Sequence, residues 1–416
     1  MSEPFISQQV QPQYTSISLF KNRAFLFLWL SSTSSFLALS TYLFAEQWYV
    51  IRSLGQESAL GIVMMVTLIP RVLLMTVGGV WADRFKRSKI MLFSSFTRFL
   101  LVFLMITLLH LHLLNLWSLL FFALLFGILD AFFSPANQSL LPLLVPKEML
   151  TRSNSFIQTS NQVAMFAGPM IGGWIITVSS FSVLFLFVAC FLLITSAFTL
   201  CIKEKNSSPS SKQVSTKQEL LEGFQYVWNM PFLKSILFIL MTINVLFFGP
   251  LLMGIPLLAS EVLHGKAVEV SFLQSSYQGG MLGGALLIGF LNIRKNRGLS
   301  ILILISFLGI FLSLLGQMYV LWQGILLLVM MGFMSSMINV PLVSIIQENC
   351  ETDKLGRVMS FVNASSNGLV PLSYAFVSIC LTFGTSISNI LLCCGLLISI
   401  LSILFITKGK IVRNTN

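Results

Sequence analysis

The chain has 416 residues, 56% of them hydrophobic and only 9% charged. Soluble domains carry about 25% charged residues, so this composition argues against a water-soluble fold. The formal charge of +11 would suit a nucleic acid or a membrane surface. However, the basic residues sit in short loops between apolar runs, not on one domain interleaved with exposed aromatics, which argues against nucleic acid.

A bilayer core needs about 20 apolar residues per helix. The hydropathy pattern predicts spans at 24–50, 59–82, 89–111, 114–140, 153–178 and 181–202, then at 232–258, 269–292, 299–318, 320–346, 357–381 and 385–407. The first 20 residues are polar. They lack the apolar core of a cleaved leader, so the first span is expected to serve as an uncleaved insertion signal. In that span, at 100° per residue, Ser31, Ser35, Tyr42, Glu46 and Tyr49 fall in a stripe about 60° wide, which should face protein or water instead of lipid. Two readings of Glu46 stand. It is a mid-membrane acid that exchanges a proton or attracts a cation, or it lies near the outer surface, solvated or paired with Arg52. Arg71 follows Pro70 in the second span and is either its partner or a wall residue.

Residues 78–87, GGVWADRFKR, close the second span with a short basic loop. Arg98 and Asp130 lie nine to ten residues inside the third and fourth spans. At 1.5 Å per residue both are about 14 Å deep, so they are expected to pair. The pair either fixes packing or makes Asp130 a proton relay, since a charge at this depth costs about 2.5–3.5 kcal/mol and needs a partner or a use. The fifth span holds GPMIGG, with Gly168, Pro169, Gly172 and Gly173. Proline breaks the helical ladder and glycines permit a bend or a tight crossing.

Residues 203–218, KEKNSSPSSKQVSTKQ, read as a cytoplasmic linker. An amphipathic helix is expected at 217–230, with Leu220, Leu221, Phe224 and Val227 on one side. It is either a linker helix or a partner's docking site. The chain thus divides into an N-terminal bundle (1–202), a linker (203–231) and a C-terminal bundle (232–416). The halves echo each other. Gly79, Arg84 and Arg87 recur 210 residues on as Gly289, Arg294 and Arg297, although Asp83 becomes Ile293. Gly127, Arg152, Ser155 and Phe156 recur 205 residues on as Gly332, Arg357, Ser360 and Phe361. Such echoes imply duplication of a six-helix unit, as in transporters built from repeats.

With both termini inside, 21 of the 25 basic residues fall on the cytoplasmic side. Arg52 and Lys266 fall outside, and Arg71 and Arg98 lie within spans. This bias predicts the orientation. The six cysteines show neither a disulfide framework nor metal-ligand spacing. No GxxxxGK[ST] phosphate loop occurs and no His/Asp/Ser set converges, so neither ATP hydrolysis nor enzymatic chemistry is expected.

Gly79-xxx-Asp83-Arg84-xx-Arg87 resembles the signature loop of the major facilitator superfamily. The twelve predicted spans, the 6+6 split, the linker and the echoed loop extend the resemblance over residues 20–410. Lys86 and Ser88 depart from its usual glycine and basic residue. The resemblance implies an all-α membrane fold of two pseudo-symmetric six-helix bundles. It also implies a cytoplasmic gate in which Asp83, Arg84 and Arg87 lock against the start of the eleventh span in one state. Gly79 is expected to let two helices approach. GPMIGG resembles the antiporter motif of exporters in this superfamily, and 142–169 is similar to its macrolide-efflux and drug-exporter branch. Spans one, four, seven and ten are then expected to line a central cavity with Tyr42, Phe126, Phe133, Asn244, Phe248, Met334 and Asn339. Met and Phe suit an adaptable apolar site.

The function expected is secondary active export of hydrophobic or amphipathic compounds, such as drugs or macrolides. The chain would act as a monomer in the bacterial plasma membrane, driven by the proton gradient with no cofactor, and Glu46 and Asp130 are the candidate coupling acids. Alternatives are a lipid, siderophore or metabolite transporter on the same fold, or a non-transporting receptor or scaffold.

Overall fold

The computed structural model describes residues 19–204, 224–263, 265–290, 297–348, 350 and 355–408. These form two sets of helices. The first set is α1 Arg23–Arg52, α2 Leu60–Arg84, α3 Arg87–His110, α4 Leu116–Leu144, α5 Leu150–Val178 and α6 Phe181–Leu200. The second begins with α7, which runs Pro231–Ile243, passes through a π-helical turn at Asn244–Phe248 and continues as Gly249–Glu261. It continues with α8 Ala267–Phe290, α9 Arg297–Leu315, α10 Leu321–Glu348, α11 Leu355–Thr382 and α12 Ile387–Lys408. No strand occurs among the described residues.

Nine of these helices are long and apolar enough to cross a bilayer. The other three, α5, α8 and α11, are richer in Ser, Asn, Gln and Gly. Packing explains this: α5 lies on α8, and α11 on α2, so these helices face protein across the junction of the halves. Small and polar residues suit such seams, because backbones can approach and hydroxyls can bond across.

The duplication is visible in backbone contacts. A Cβ on Gly127 of α4 would run into the carbonyl oxygen of Thr67 of α2, and a Cβ on Gly332 of α10 into that of Tyr277 of α8. Thr67 and Tyr277 are 210 apart and Gly127 and Gly332 are 205 apart, the same two offsets as in the sequence echoes. The same glycine contact therefore seats α4 on α2 and α10 on α8.

Among the described residues, the hydrogen bonds between the halves gather towards one end. There Ser378 Oγ of α11 donates to Ser58 O (2.8 Å), Gln274 Nε2 of α8 to Gln47 Oε1 of α1 (2.7 Å) and Ser275 Oγ of α8 to Phe166 O of α5 (2.9 Å). Towards the Asp83 end, α2 keeps only Gly78 and Ala82 buried, while Val77, Val80 and Trp81 are 41–48% exposed. The first turns of α5, at that same end, bury only Ser153 and Ile157. Among the described residues, the bundle is closed at the Ser58–Ser378 end and splayed at the Asp83 end.

Residues 205–223 of the expected linker, including Leu220 and Leu221, lie outside the described residues, but 224–229 are helical. Val227 is buried, and Phe224 packs edge-on to Phe361 of α11 at 5.6 Å. This segment is docked on its own C-terminal half.

Candidate functional site

A cavity of about 380 Å³ lies between the halves. The N-terminal half contributes Ser40, Phe44, Glu46 and Gln47 of α1, Thr67 and Arg71 of α2, and Met165 and Pro169 of α5. The C-terminal half contributes Phe248, Leu252 and Ile255 of α7, Gln274, Tyr277, Gln278 and Met281 of α8, and Tyr374 of α11. The wall combines apolar surface with convergent hydrogen-bonding side chains, and that combination is the usual character of a small-molecule site.

The expected pairing of spans is not the one that walls this cavity. Helices α4 and α10 stand behind α2 and α8, so several expected wall residues are elsewhere. Tyr42 is buried and stacks on Phe126 at 3.9 Å, and its hydroxyl donates to Glu46 Oε1 (3.0 Å). Phe133 lies under the Arg98 guanidinium, 4.7 Å away. Asn244 turns back to donate to Leu240 O within its own helix (2.8 Å). Met334 packs partly buried against the core, and Asn339 is exposed. Phe248 is the member of the expected set that lines the cavity. The α1 stripe of Ser31, Ser35, Tyr42, Glu46 and Tyr49 is buried throughout. Glu46 is 1% exposed, while Arg52 is exposed.

Asp130 holds two arginines. Arg98 Nη1 stands 3.4 Å from Oδ1, and Arg71 Nε 2.9 Å from Oδ2. Arg98 is fully buried and its Nη2 has no hydrogen-bond partner. Arg71 is different: its side chain is 35% exposed, and it lines both the main cavity and a small void beside Asp130, Phe133 and Asn137. It therefore connects the buried cluster to the cavity, while Glu46 lines the cavity with its Oε1 turned to Tyr42.

The GPMIGG segment is a seat for two helices. A Cβ on Gly168 or Gly172 would strike Ser40 or Phe44 of α1, and one on Gly173 would strike Ser271 of α8. Pro169 has no N–H to give the carbonyl of Met165; Ser40 Oγ donates there instead (3.1 Å). A comparable repair bends α7. Pro250 removes the donor for Leu246 O, and the chain forms the π turn. Ser373 of α11 enters the broken ladder, its Oγ accepting from Gly249 N (2.9 Å) and donating to Val245 O. Helical distortions with an inserted side chain often mark functional sites, and Phe248 of this turn lines the cavity. Sequence reasoning passed over Ser40 and Ser373, although a Ser facing a Pro across two helices is the usable signal.

At the splayed end, Asp83 is 66% exposed and pairs with Arg87 at 3.6 Å. Arg87 also reaches Glu204 (3.5 Å) and Ser139 Oγ of α4 (3.1 Å). Glu204 Oε2 accepts from the backbone N–H of Ser88 (3.1 Å) and its hydroxyl (3.0 Å), capping the start of α3 where a carboxylate is favoured. Glu204 was missed because it follows the sixth span, far from the loop in sequence. Arg84 ends α2. Gly79 corrects an expectation: a Cβ there would meet open space, and the close approach is made by Gly78 against Ala131 of α4. Successive helical residues point about 100° apart, so only one of the two glycines faces α4. In the echoed loop, Gly289 is one residue from the end of α8 at Phe290, and Ile293 and Arg294 lie outside the described residues. Arg297 opens α9 and pairs with Glu348 of α10 at 2.8 Å.

This arrangement of two duplicated six-helix bundles around a shared cavity is that of a membrane transporter. The chain belongs to the Major Facilitator Superfamily, which its residues 28–374 match. It is similar to Macrolide efflux protein A of Streptococcus pyogenes, at 23% identity over 359 residues, covering 83% of this chain and 86% of that protein. It is also similar to Enterobactin exporter EntS of Shigella flexneri, at 27% identity over 296 residues, covering 68% of this chain and 66% of that protein. Among solved structures, the nucleoside transporter NupG superposes with a TM-score of 0.73, covering 93% of this chain and 99% of that one at 13% identity. A POT family transporter in complex with 5-aminolevulinic acid gives 0.72, with 94% and 97% covered at 14% identity. At these identities the two structures speak for the fold alone.

Proposed function

We infer that this transporter exports amphipathic compounds from a bacterial cell by alternating access, in exchange for protons. The observation that carries the reading is the cavity itself. It lies between the halves, closed at the Ser58–Ser378 end, and holds Glu46 and Arg71 against a wall of Phe44, Phe248, Tyr277 and Tyr374. Phe44, Met165, Phe248, Leu252, Ile255 and Met281 suit an apolar body, and the Glu46, Arg71 and glutamine side chains suit a polar end.

Direction rests on other observations. The basic loops lie at the splayed end, and the positive-inside rule assigns that end, with both termini, to the cytoplasm. The conformation is then open inward, where an exporter loads. The exporter names of the two relatives and the GPMIGG segment agree with this direction. Both halves and the whole cavity belong to one chain, which supports action as a monomer. A proton moving down about 150 mV releases about 3.5 kcal/mol, enough for a gradient of a few hundred-fold. Glu46 and Asp130 are the acids available for that coupling. Asp83, which pairs with Arg87 here, would lock against the start of α11 when that side closes.

Everted vesicles test the reading. Energised vesicles should accumulate amphipathic dyes or macrolides, and an uncoupler should abolish uptake. A chain that takes up none of them, and binds a nutrient from the outer face instead, would overturn export. Glu46→Gln and Asp130→Asn should each impair the proton-driven step, and full retention by both would remove them as coupling acids. Asp83→Asn should raise thiol labelling of a Thr67→Cys cavity site from the cytoplasmic face, and unchanged labelling would remove the lock.

A further inference from the structure

Charge is distributed unevenly around the cavity. Two guanidiniums, Arg71 and Arg98, share the single carboxylate of Asp130, so the cluster keeps one positive charge within the membrane. Arg98 is fully buried and cannot meet a solute. Arg71 is the member that reaches the cavity, and its Nε stands 2.9 Å from Asp130 Oδ2 as an ion pair, without a hydrogen bond to that oxygen. The cavity's acid, Glu46, accepts the Tyr42 hydroxyl, and Asp130 is the ionic partner of Arg71 among the described residues. Across the cavity, the C-terminal half offers Phe248, Leu252, Ile255 and Met281 with amide and phenol groups but no charge.

A charged side chain in the membrane is costly and marks a functional site, and a guanidinium can hold a second planar anion with its remaining N–H donors. We propose that the cavity takes an amphiphile bearing an acidic group, a carboxylate or an acidic phenol, and that Arg71 pairs with its anion while the apolar body lies against Phe248, Leu252 and Met281. This deepens the transport reading and rests on it for the cavity being the substrate site. An anionic solute relieves the excess positive charge of the cluster, and a cationic one adds to it.

The test is equilibrium binding to the purified full-length protein in detergent, where neither direction nor a proton gradient enters. Three fluorescent probes share one apolar body and end in a carboxylate, a neutral amide or a quaternary ammonium. The native protein should bind the carboxylate at least about tenfold more tightly than the ammonium, the discrimination expected of a well-placed ionic hydrogen bond. Arg71→Gln should abolish that preference while leaving the amide within about twofold, and Arg71→Lys should keep part of it. Retained amide binding shows that the cavity is intact in the variants. Equal or tighter binding of the ammonium by the native protein overturns the proposal whatever the variants do, and so does an unchanged carboxylate preference in Arg71→Gln. Binding of the carboxylate without export in vesicles would instead count against the transport reading alone.

Discussion

The two-to-one arginine–aspartate cluster predicts an inequality between two substitutions. In Asp130→Asn, Arg71 and Arg98 lose their shared anion at once. Breaking a buried ion pair from one side costs about 3–5 kcal/mol, because the remaining charge stays desolvated, and here that charge is Arg98, whereas Arg71 is 35% exposed. In Arg98→Met, Asp130 keeps Arg71 at 2.9 Å as a one-to-one pair. That change gives up two 3.4 Å hydrogen bonds, to Asp130 Oδ1 and Ser94 O, and the contact with the Phe133 ring, together worth about 4 kcal/mol when desolvated. It also relieves the burial of a cation whose Nη2 has no partner, a cost of several kcal/mol. The net change for Arg98→Met is therefore within about 1 kcal/mol of zero. At about 2–4 °C per kcal/mol for a unit of 150–250 residues, Asp130→Asn should lower the unfolding temperature by about 6–20 °C and Arg98→Met by no more than about 4 °C. Thermal unfolding of the purified protein, followed through a thiol-reactive dye, reads both. If Arg98→Met destabilises as much as Asp130→Asn, the cluster does not carry surplus charge and the reasoning fails.

Gly127→Ala and Gly332→Ala should each cost about 1–3 kcal/mol by driving a methyl into a backbone carbonyl, whereas Gly79→Ala should stay within about 0.5 kcal/mol; equal unfolding shifts for all three would contradict the packing described. Ser373→Ala leaves Gly249 N–H and Val245 C=O without their bridging hydroxyl and should cost about 1–3 kcal/mol, while also raising hydrogen exchange at Gly249. Unchanged exchange there would show that the π turn does not depend on α11. Glu204→Ala should remove one partner of Arg87 and the acceptor of Ser88 and increase proteolysis near the α2–α3 loop, and Glu204→Gln, which keeps an acceptor for the Ser88 N–H, should do so less. Equal cleavage of both variants would assign Glu204 no capping role.

What the sequence made legible follows from what is local or periodic. The spans come from runs of apolar residues, and the duplication from glycine spacings that recur at fixed offsets. The Arg98–Asp130 approach was foreseeable because depth can be counted along two neighbouring helices. The identity of the cavity wall was not, since it depends on how two halves cross. Tyr42 was expected in the cavity but stacks on Phe126, and Tyr374 was overlooked because α11 carries no charge between Val358 and Thr382 to draw attention. Arg71 had two candidate roles, and a third dimension was needed to see that it touches both Asp130 and the cavity. Glu204 and Ser373 act on partners more than 100 residues away, a distance no local pattern spans.

The repeat also shows how one frame came to serve two chemistries. Counting from the matched contacts Thr67–Gly127 and Tyr277–Gly332, Arg71 corresponds to Met281 and Asp130 to Ser335. In the second half, Ser335 accepts from the Tyr277 hydroxyl (3.2 Å), while Ser336 donates to Met281 O (2.6 Å). The α8–α10 seam is thus held by hydroxyls where the α2–α4 seam is held by ions, and Met281 faces the cavity from the place equivalent to Arg71. A hydroxyl seam costs little to bury and leaves an apolar wall. An ionic seam is expensive, and its retention in one half is hard to explain by packing, since a neutral solution to the same contact exists in the other half of the same chain. If the ions served stability alone, grafting the second half's solution onto the first, Arg71→Met with Asp130→Ser and, since Leu308 stands 210 residues on, Arg98→Leu, should leave both folding and transport intact. A chain that folds but no longer distinguishes acidic from neutral solutes is the outcome expected of a cluster kept for its charge.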